Sequence, residues 1–100
     1  MERFRTFEEF WPFYLSQHTR KATRALHAFG IVSAVLLLGT AVATQCWLCL
    51  PLAVVTGYAS AWFGHFFIEK NRPATLKYPV WSFRADFRMV GRVLTGRPLN

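Results

Sequence analysis

A long stretch without charged residues is the feature that most constrains this chain. Residues 25–68 contain no Lys, Arg, Asp or Glu, although 17% of the 100 residues are charged. One membrane-spanning helix needs about 20 apolar residues, so the stretch accommodates two helices and a short turn. A soluble domain of this length buries only part of its surface, and so apolar a chain is difficult to keep in water. The pattern therefore predicts a pair of membrane-spanning helices.

The predicted fold is an all-α membrane protein that forms one domain over residues 1–100. A two-helix transmembrane hairpin has its spans at 25–44 and 51–69, and amphipathic interfacial helices at 7–17 and 81–94 flank it. Small residues that permit close helix approach occur in both spans: Gly30, Ser33, Ala34, Gly39 and Ala43 in the first, and Gly57, Ser60, Ala61 and Gly64 in the second.

The two interfacial helices are predicted from their side-chain patterns. Thr6 and Glu9 have the spacing of a capping box, and the aromatic residues that follow recur at helical spacing. Such a density of aromatic rings favours the headgroup boundary. In the second helix Arg84, Arg88 and Arg92 recur every four residues, which suits anionic headgroups.

The distribution of charge predicts the orientation in the membrane. The net charge is +7, and the basic residues flank the apolar stretch on both sides while the turn carries none. By the positive-inside rule both termini are cytoplasmic, and nucleic-acid binding is not expected. Glu8 and Glu9 stand where a signal peptide is apolar, so we expect the first span to act as an uncleaved insertion signal. The Arg-rich termini favour a bacterial inner membrane over the endoplasmic reticulum.

Histidine and glutamate residues form a candidate metal site. His27 lies near the start of the first span and His65 near the end of the second, so a hairpin brings both to the same interface. Glu69 follows His65 by one helical turn and shares its face. Ionisable groups in a bilayer usually face the protein interior. Imidazole and carboxylate together suit Fe, Zn or Mn.

His18 joins this site only under one condition. It precedes His27 by nine residues, which on a continuous helix is half a turn and a rise of about 13 Å. The two rings share a metal only if the chain breaks within residues 19–23, where Thr23 could cap the new helix. Two interacting metal centres, or His18 as a base beside the metal, are alternatives.

Further polar groups lie at the same interface. Arg24, Lys70, Asn71 and Arg72 could hold a lipid carboxylate or phosphate, or could simply anchor the helices. Asp86 could join the site or pair with an arginine.

The turn between the spans contains Cys46 and Cys49, a CxxC pair. The spacing is that of a redox or zinc pair. The alternative is two small apolar residues at the membrane interface beside Trp47.

Two motifs resemble those of a known family. The string Gly-His-Phe-Phe-Ile-Glu-Lys-Asn-Arg-Pro-Ala-Thr at 64–75, then Tyr-Pro-Val-Trp-Ser at 78–82 and Asp-Phe-Arg-Met at 86–89, is similar to the core motif of a family of small membrane proteins. Residues 13–18, with 24–27 and Gly30, resemble its other motif. The family includes a 2-hydroxy fatty acid dioxygenase of the endoplasmic reticulum that acts in phytosphingosine breakdown.

The resemblance implies an Fe(II)-dependent dioxygenase that removes one carbon from a 2-hydroxy fatty acid. The family's iron-binding histidines correspond to His18, His27 and His65, and Glu69 matches its acidic position. Between the first two histidines the family often has proline and asparagine, where Lys21 and Thr23 stand here. This departure weakens the prediction of a break there.

The resulting hypothesis is a dioxygenase that cleaves the C1–C2 bond of a 2-hydroxy acid at the membrane interface. A non-catalytic membrane protein that organises lipids or partner proteins is one alternative, and a lipid hydrolase with zinc-activated water is another. Two spans enclose little, so we expect a homo-oligomer. The predicted metal-binding and catalytic residues are His18, His27, His65 and Glu69, and the predicted substrate-binding residues are Arg24, Asn71 and Arg72.

Overall fold

The computed structural model describes residues 4–99, and within that range the chain is helical without strands. Helix α1 spans Phe7–Ser16, α2 spans Lys21–Thr44, α3 spans Cys49–Phe63 and α4 spans Pro79–Thr95. A π-helical segment at Gly64–Glu69 continues α3, and a short 3-10 turn at Ala74–Leu76 precedes α4. The all-α prediction is confirmed. Residues 1–3 and 100 of the predicted domain lie outside the described residues.

One helix is long and apolar enough to cross a membrane. Among the described residues only α2 qualifies, with 24 residues and a mean hydropathy of 2.0 in its most apolar window. Helix α3 has 15 residues, fewer than the approximately 20 that a span needs. The structure therefore shows one candidate span, and the predicted pair of transmembrane helices is not shown.

Helices α2 and α3 pack side by side in opposite directions. A Cβ on Gly30 would lie 3.1 Å from the carbonyl oxygen of Gly57, and one on Gly64 would lie 3.1 Å from Cγ2 of Thr23. A larger residue at Gly30 would require the backbone of Gly57 to move by a few tenths of an ångström, so the small residue permits the close approach of the two helices. A Cβ on Gly39, by contrast, would meet nothing within 4 Å, so the small residues Gly39 and Ala43 do not form the helix contact that their spacing predicted.

The main buried core lies between α1 and α4. The aromatic face of α1 packs against Ala85, Met89 and Val90 of α4. As predicted, the hydroxyl of Thr6 accepts a hydrogen bond from the N–H of Glu9, at 3.1 Å, and begins α1. The buried rings of α1 are Phe7, Phe10, Trp11 and Tyr14. Because α4 covers them, they do not face lipid headgroups as the aromatic pattern predicted.

Arginines of α4 lie across this aromatic core. The guanidinium of Arg84 lies 4.1 Å from the ring centre of Phe7, and that of Arg88 lies 4.9 Å from the ring centre of Trp11. Arg88 also forms an ion pair with Glu8 at 3.0 Å, and its hydrogen bond lowers the pKa of that carboxyl. Cation–π contacts of this kind contribute about 0.5–1 kcal/mol each at exposed sites, so the basic stripe helps to join α4 to α1.

Candidate metal centre

Three histidines from three different segments meet in one buried cluster. One ligand nitrogen of each of His18, His27 and His65 lies within 4.8 Å of the others. Their side chains are 1%, 3% and 2% exposed. This group of three imidazoles is a candidate metal centre.

A break in the helix brings His18 to His27. Helix α1 ends before His18, and Arg20 has an extended backbone with φ −96° and ψ 142° immediately before α2. The Nε2 atoms of His18 and His27 are 3.1 Å apart as a result. The chain therefore breaks within residues 19–23, which is the condition under which His18 and His27 can share one metal ion. Thr23 lies inside the first turn of α2 and does not cap it, so that detail of the prediction is wrong.

Glu69 stabilises the break from the end of the π-helical segment. Its carboxylate accepts hydrogen bonds from the backbone N–H of Arg20 at 2.7 Å and from the hydroxyl of Thr19 at 2.8 Å. A negative charge at a helix N-terminus interacts favourably with the helix dipole. Within the described residues, no carboxylate belongs to the close group of metal-binding atoms. These contacts favour a supporting role for Glu69 over direct ligation.

Backbone carbonyls orient two of the imidazoles. His18 Nδ1 lies 2.7 Å from the carbonyl oxygen of Tyr14, and His27 Nδ1 lies 3.0 Å from that of Thr23. A carbonyl oxygen only accepts hydrogen bonds, so Nδ1 of each ring carries the proton. Both rings are therefore held with the Nε2 lone pair free.

Asn71 orients the third imidazole. Its Nδ2 donates to the carbonyl of Gln17 at 3.1 Å, which determines which way the amide points. Its Oδ1 consequently faces Nδ1 of His65 at 2.7 Å and accepts that proton. Partners of this kind behind a metal-binding histidine set its tautomer and ring orientation. His65 also lies on a π-helical segment, a conformation that is frequent at functional sites.

The donor set fits a bound metal ion. Burial, followed by the neighbouring His27, lowers the pKa of His18 to about 3, so this ring is neutral at physiological pH. The facing Nε2 atoms of His18 and His27 then have no proton between them, and their lone pairs repel unless a cation lies there. Neutral imidazoles suit Zn, Cu, Fe and Ni. The geometry supports metal binding without selecting one of these metals.

Asp86 is the carboxyl group that faces the histidines. Its Oδ1 lies 4.0 Å from His27 Nε2 and accepts a hydrogen bond from the hydroxyl of Tyr14. Burial raises the pKa of Asp86 to about 7, against the opposing effect of Tyr14. The sequence left open whether Asp86 joins the site or pairs with an arginine. Among the described residues Asp86 contacts Tyr14 and His27, so it joins the site.

A cavity of about 190 Å³ begins at the histidines. Tyr14, Thr75, Ser82 and Asp86 provide polar groups on its wall. The hydroxyl of Ser82 is buried and has no hydrogen-bond partner among the described residues. The rest of the wall is mainly apolar and comes largely from α2 and α3, including Ile31, Val35, Leu38, Val54, Ala61 and Trp62.

The predicted substrate-binding residues are not among the described residues that line this cavity. Arg24 donates from Nε to the carbonyl of His18 at 2.9 Å and from Nη2 to that of Thr19 at 3.2 Å. Arg24 and Asn71 thus support the chain around the site, and Arg72 is exposed. Their roles in substrate binding stay predictions. The sequence did not indicate Ser82 and left the role of Asp86 open, because the packing of α4 against α2 places both side chains.

Fold and site together define a class: an all-helical protein with a buried three-histidine centre that opens into an apolar cavity. The chain belongs to the Mpo1-like family, since the family model described as 2-hydroxy-palmitic acid dioxygenase Mpo1-like matches residues 4–98. The resemblance found in the sequence motifs is thereby confirmed. No curated protein and no solved structure matches this chain.

Proposed function

We propose that this protein is an Fe(II)-dependent dioxygenase that shortens a 2-hydroxy fatty acid by one carbon. The observation that carries the proposal is the buried cluster of three imidazoles at one end of an apolar cavity. The description of the family names a substrate of this class. A polar, metal-type head site joined to an apolar wall matches a fatty acid whose reactive end bears a carboxylate and a hydroxyl.

The three histidines would hold the metal through Nε2, with Asp86 as the nearest carboxyl group. Bound Fe(II) would supply the oxygen-dependent redox chemistry for cleaving the C1–C2 bond of a 2-hydroxy acid. The protein's own contribution is to hold the imidazoles neutral, oriented and buried. Glu69 supports His18 by holding the segment between α1 and α2.

The cavity provides complementary surfaces for both ends of the substrate. Between His27 and Leu38, which both line it, α2 rises about 16 Å. That is about half of the roughly 30 Å hydrocarbon core of a bilayer, which is the depth that one leaflet's acyl chains occupy. The unpartnered hydroxyl of Ser82 is available to donate a hydrogen bond to the head of the substrate.

Membrane association is part of the proposal. Only 22% of the apolar window of α2 is buried inside the protein, whereas the core helix of a soluble protein is mostly buried. Exposed apolar patches this extensive are typical of membrane or protein contacts. We place α2 and the continuous helix 49–69 in the bilayer, with both termini cytoplasmic, in a bacterial inner membrane. Assembly into a homo-oligomer remains a further expectation.

The test combines metal content with oxygen dependence. Protein purified anaerobically in mild detergent should contain iron near one ion per chain, and it should consume 2-hydroxypalmitate only with oxygen. His65→Ala and His18→Ala, on different segments, should lose both properties while remaining helical. Phe66→Ala is the matched control, since it changes the neighbour of His65 on the same π-helical segment and Phe66 is 47% exposed.

Three results would overturn this proposal. Full activity in either histidine variant would contradict the assigned ligands. Zinc in place of iron, with turnover under anaerobic conditions, would identify a metal-dependent lipid hydrolase instead. A helical, stable protein without any metal would favour a non-catalytic membrane protein.

A further inference from the structure

The end of the α2–α3 pair remote from the histidines carries the chain's two cysteines. Cys46 lies in the turn and Cys49 is the first residue of α3. Helix α2 rises about 26 Å between His27 and Thr44, so this cysteine pair is separate from the metal centre. The proposed dioxygenase reaction makes no use of it.

The geometry of the turn suits a disulfide. The N–H of Cys49 donates to the carbonyl of Cys46 at 3.0 Å, and the two Sγ atoms are 2.8 Å apart. Such a turn keeps the two Cα atoms within about 7 Å, while a disulfide requires a Cα separation of about 4.4–6.8 Å and an S–S bond of about 2.05 Å. Small rotations of the two side chains are therefore enough to close the bond.

Cys46 has the surroundings of an attacking thiol. It is partly exposed, whereas Cys49 is buried. The thiol of Cys49 donates a hydrogen bond to Cys46 Sγ, and the backbone N–H groups at the start of α3 do so as well, which lowers the pKa of Cys46. Thiols at helix N-termini are typically reactive for this reason. No carboxylate in residues 25–68 opposes this effect.

The surroundings favour redox chemistry over zinc binding. A structural zinc site takes four ligands. In the part of the chain that the structure describes, the histidine cluster is the one group of three or more close His, Cys, Asp or Glu ligands. The two thiols therefore lack further ligands within a single chain.

We propose that Cys46 and Cys49 form a redox-active dithiol that exchanges with small disulfides of the glutathione type. The thiolate of Cys46 attacks one sulfur of the external disulfide, releases one thiol and forms a mixed disulfide. The thiol of Cys49 then loses its proton and attacks Cys46 Sγ, which releases the second thiol. Two cysteine thiols are oxidised to one disulfide, and the external disulfide is reduced to two thiols.

The experiment uses the full-length protein in detergent, equilibrated over a series of ratios of reduced to oxidised glutathione. After an acid quench, free thiols are alkylated with a maleimide reagent and counted by intact mass spectrometry. Both cysteines should become protected together in one transition, with a loss of two hydrogen atoms and no attached glutathione. Non-reducing gels should show a monomer, because the bond is within one chain.

Single variants assign the two roles. Cys49→Ser should trap glutathione on Cys46. Cys46→Ser should acquire glutathione on Cys49 at a rate about tenfold lower, because the partly exposed thiol of Cys46 is the one that attacks first. Both variants should keep the metal content of the wild type, which shows that they fold and separates this inference from the dioxygenase. Thiols that stay fully alkylatable in oxidised glutathione, disulfides between chains, or zinc bound by the pair would each overturn the proposal.

Discussion

Asn71 permits a direct test of how the metal centre is assembled. Asn71→Ala removes the oxygen that accepts the Nδ1 proton of His65 at 2.7 Å and the amide that donates to the carbonyl of Gln17 at 3.1 Å. His65 then has no partner that sets its tautomer or its ring orientation. Its Nε2 lone pair is no longer held toward the other two imidazoles.

The expected magnitude follows from these two contacts. Removing a hydrogen-bonding partner behind a metal-binding histidine typically lowers metal affinity about 10–100-fold, which is about 1.4–2.7 kcal/mol. In the wild type, each of these two hydrogen bonds contributes about 1 kcal/mol to the free energy of unfolding. The free energy of unfolding of the metal-free protein should therefore fall by about 2 kcal/mol.

The assay is anaerobic Fe(II) binding in competition with a chromogenic chelator, combined with urea unfolding of the metal-free protein. Asn71→Asp keeps an oxygen that accepts the proton of His65 and loses the donor to Gln17, so it should bind iron nearly as well as the wild type. Arg72→Ala, an exposed neighbour, controls for nonspecific effects. If Asn71→Ala binds iron as tightly as the wild type, the reasoning is refuted.

Further predictions concern the carboxyl groups and the cavity wall. Glu69→Gln should retain iron, because the amide oxygen still accepts from the N–H of Arg20 and the amide nitrogen can donate to the hydroxyl of Thr19; loss of iron on elemental analysis would instead make Glu69 a ligand. Ala61→Leu should raise KM about tenfold for long-chain 2-hydroxy acids and less for short ones, whereas Ala59→Leu on the exposed face should not. Equal effects across chain lengths would show that Ala61 does not line the acyl site. In the metal-free protein, burial raises the pKa of Asp86 from 3.8 to about 7. The folded state therefore binds this proton more tightly than the unfolded state does, and the contribution of Asp86 to stability falls as the pH rises through that range. Burial lowers the pKa of His18 from 6.5 to about 3. The unfolded state therefore binds this proton more tightly, and the contribution of His18 to stability rises with pH over an overlapping range. Asp86→Asn should therefore make the free energy of unfolding rise more steeply between pH 4 and 6.5, by up to about 1.4 kcal/mol per pH unit, and an unchanged slope in urea unfolding would contradict this.

The aromatic face of α1 illustrates what a local pattern can and cannot predict. Helical spacing of the rings correctly predicted a helix with one apolar face, and the capping contact of Thr6 with Glu9 forms as expected. The spacing does not specify what covers that face. Met89 and Val90 of α4, some 80 residues further along the chain, cover it, so the rings form a protein core where the pattern alone suggested a lipid contact.

The break between His18 and His27 shows the same limit. Lys21 and Thr23 are compatible with a helix, so the sequence between the histidines carries little signal for a break. The interaction that stabilises it comes from Glu69, whose carboxylate holds the backbone N–H of Arg20. The sequence motifs could suggest the three histidines as a set, but a contact between residues 49 positions apart explains how they meet.

The sequence by itself determined the all-helical class, the approximate positions of the helices, the apolar character of α2 and membership of the three histidines in a family motif. These depend on composition, period and spacing, which are local properties of the chain. The tertiary structure decided which nitrogen of each imidazole is free, the placement of Asp86 and Ser82 on the cavity wall, and the role of Glu69. Those depend on distances between residues far apart in the chain, and packing in three dimensions alone sets such distances.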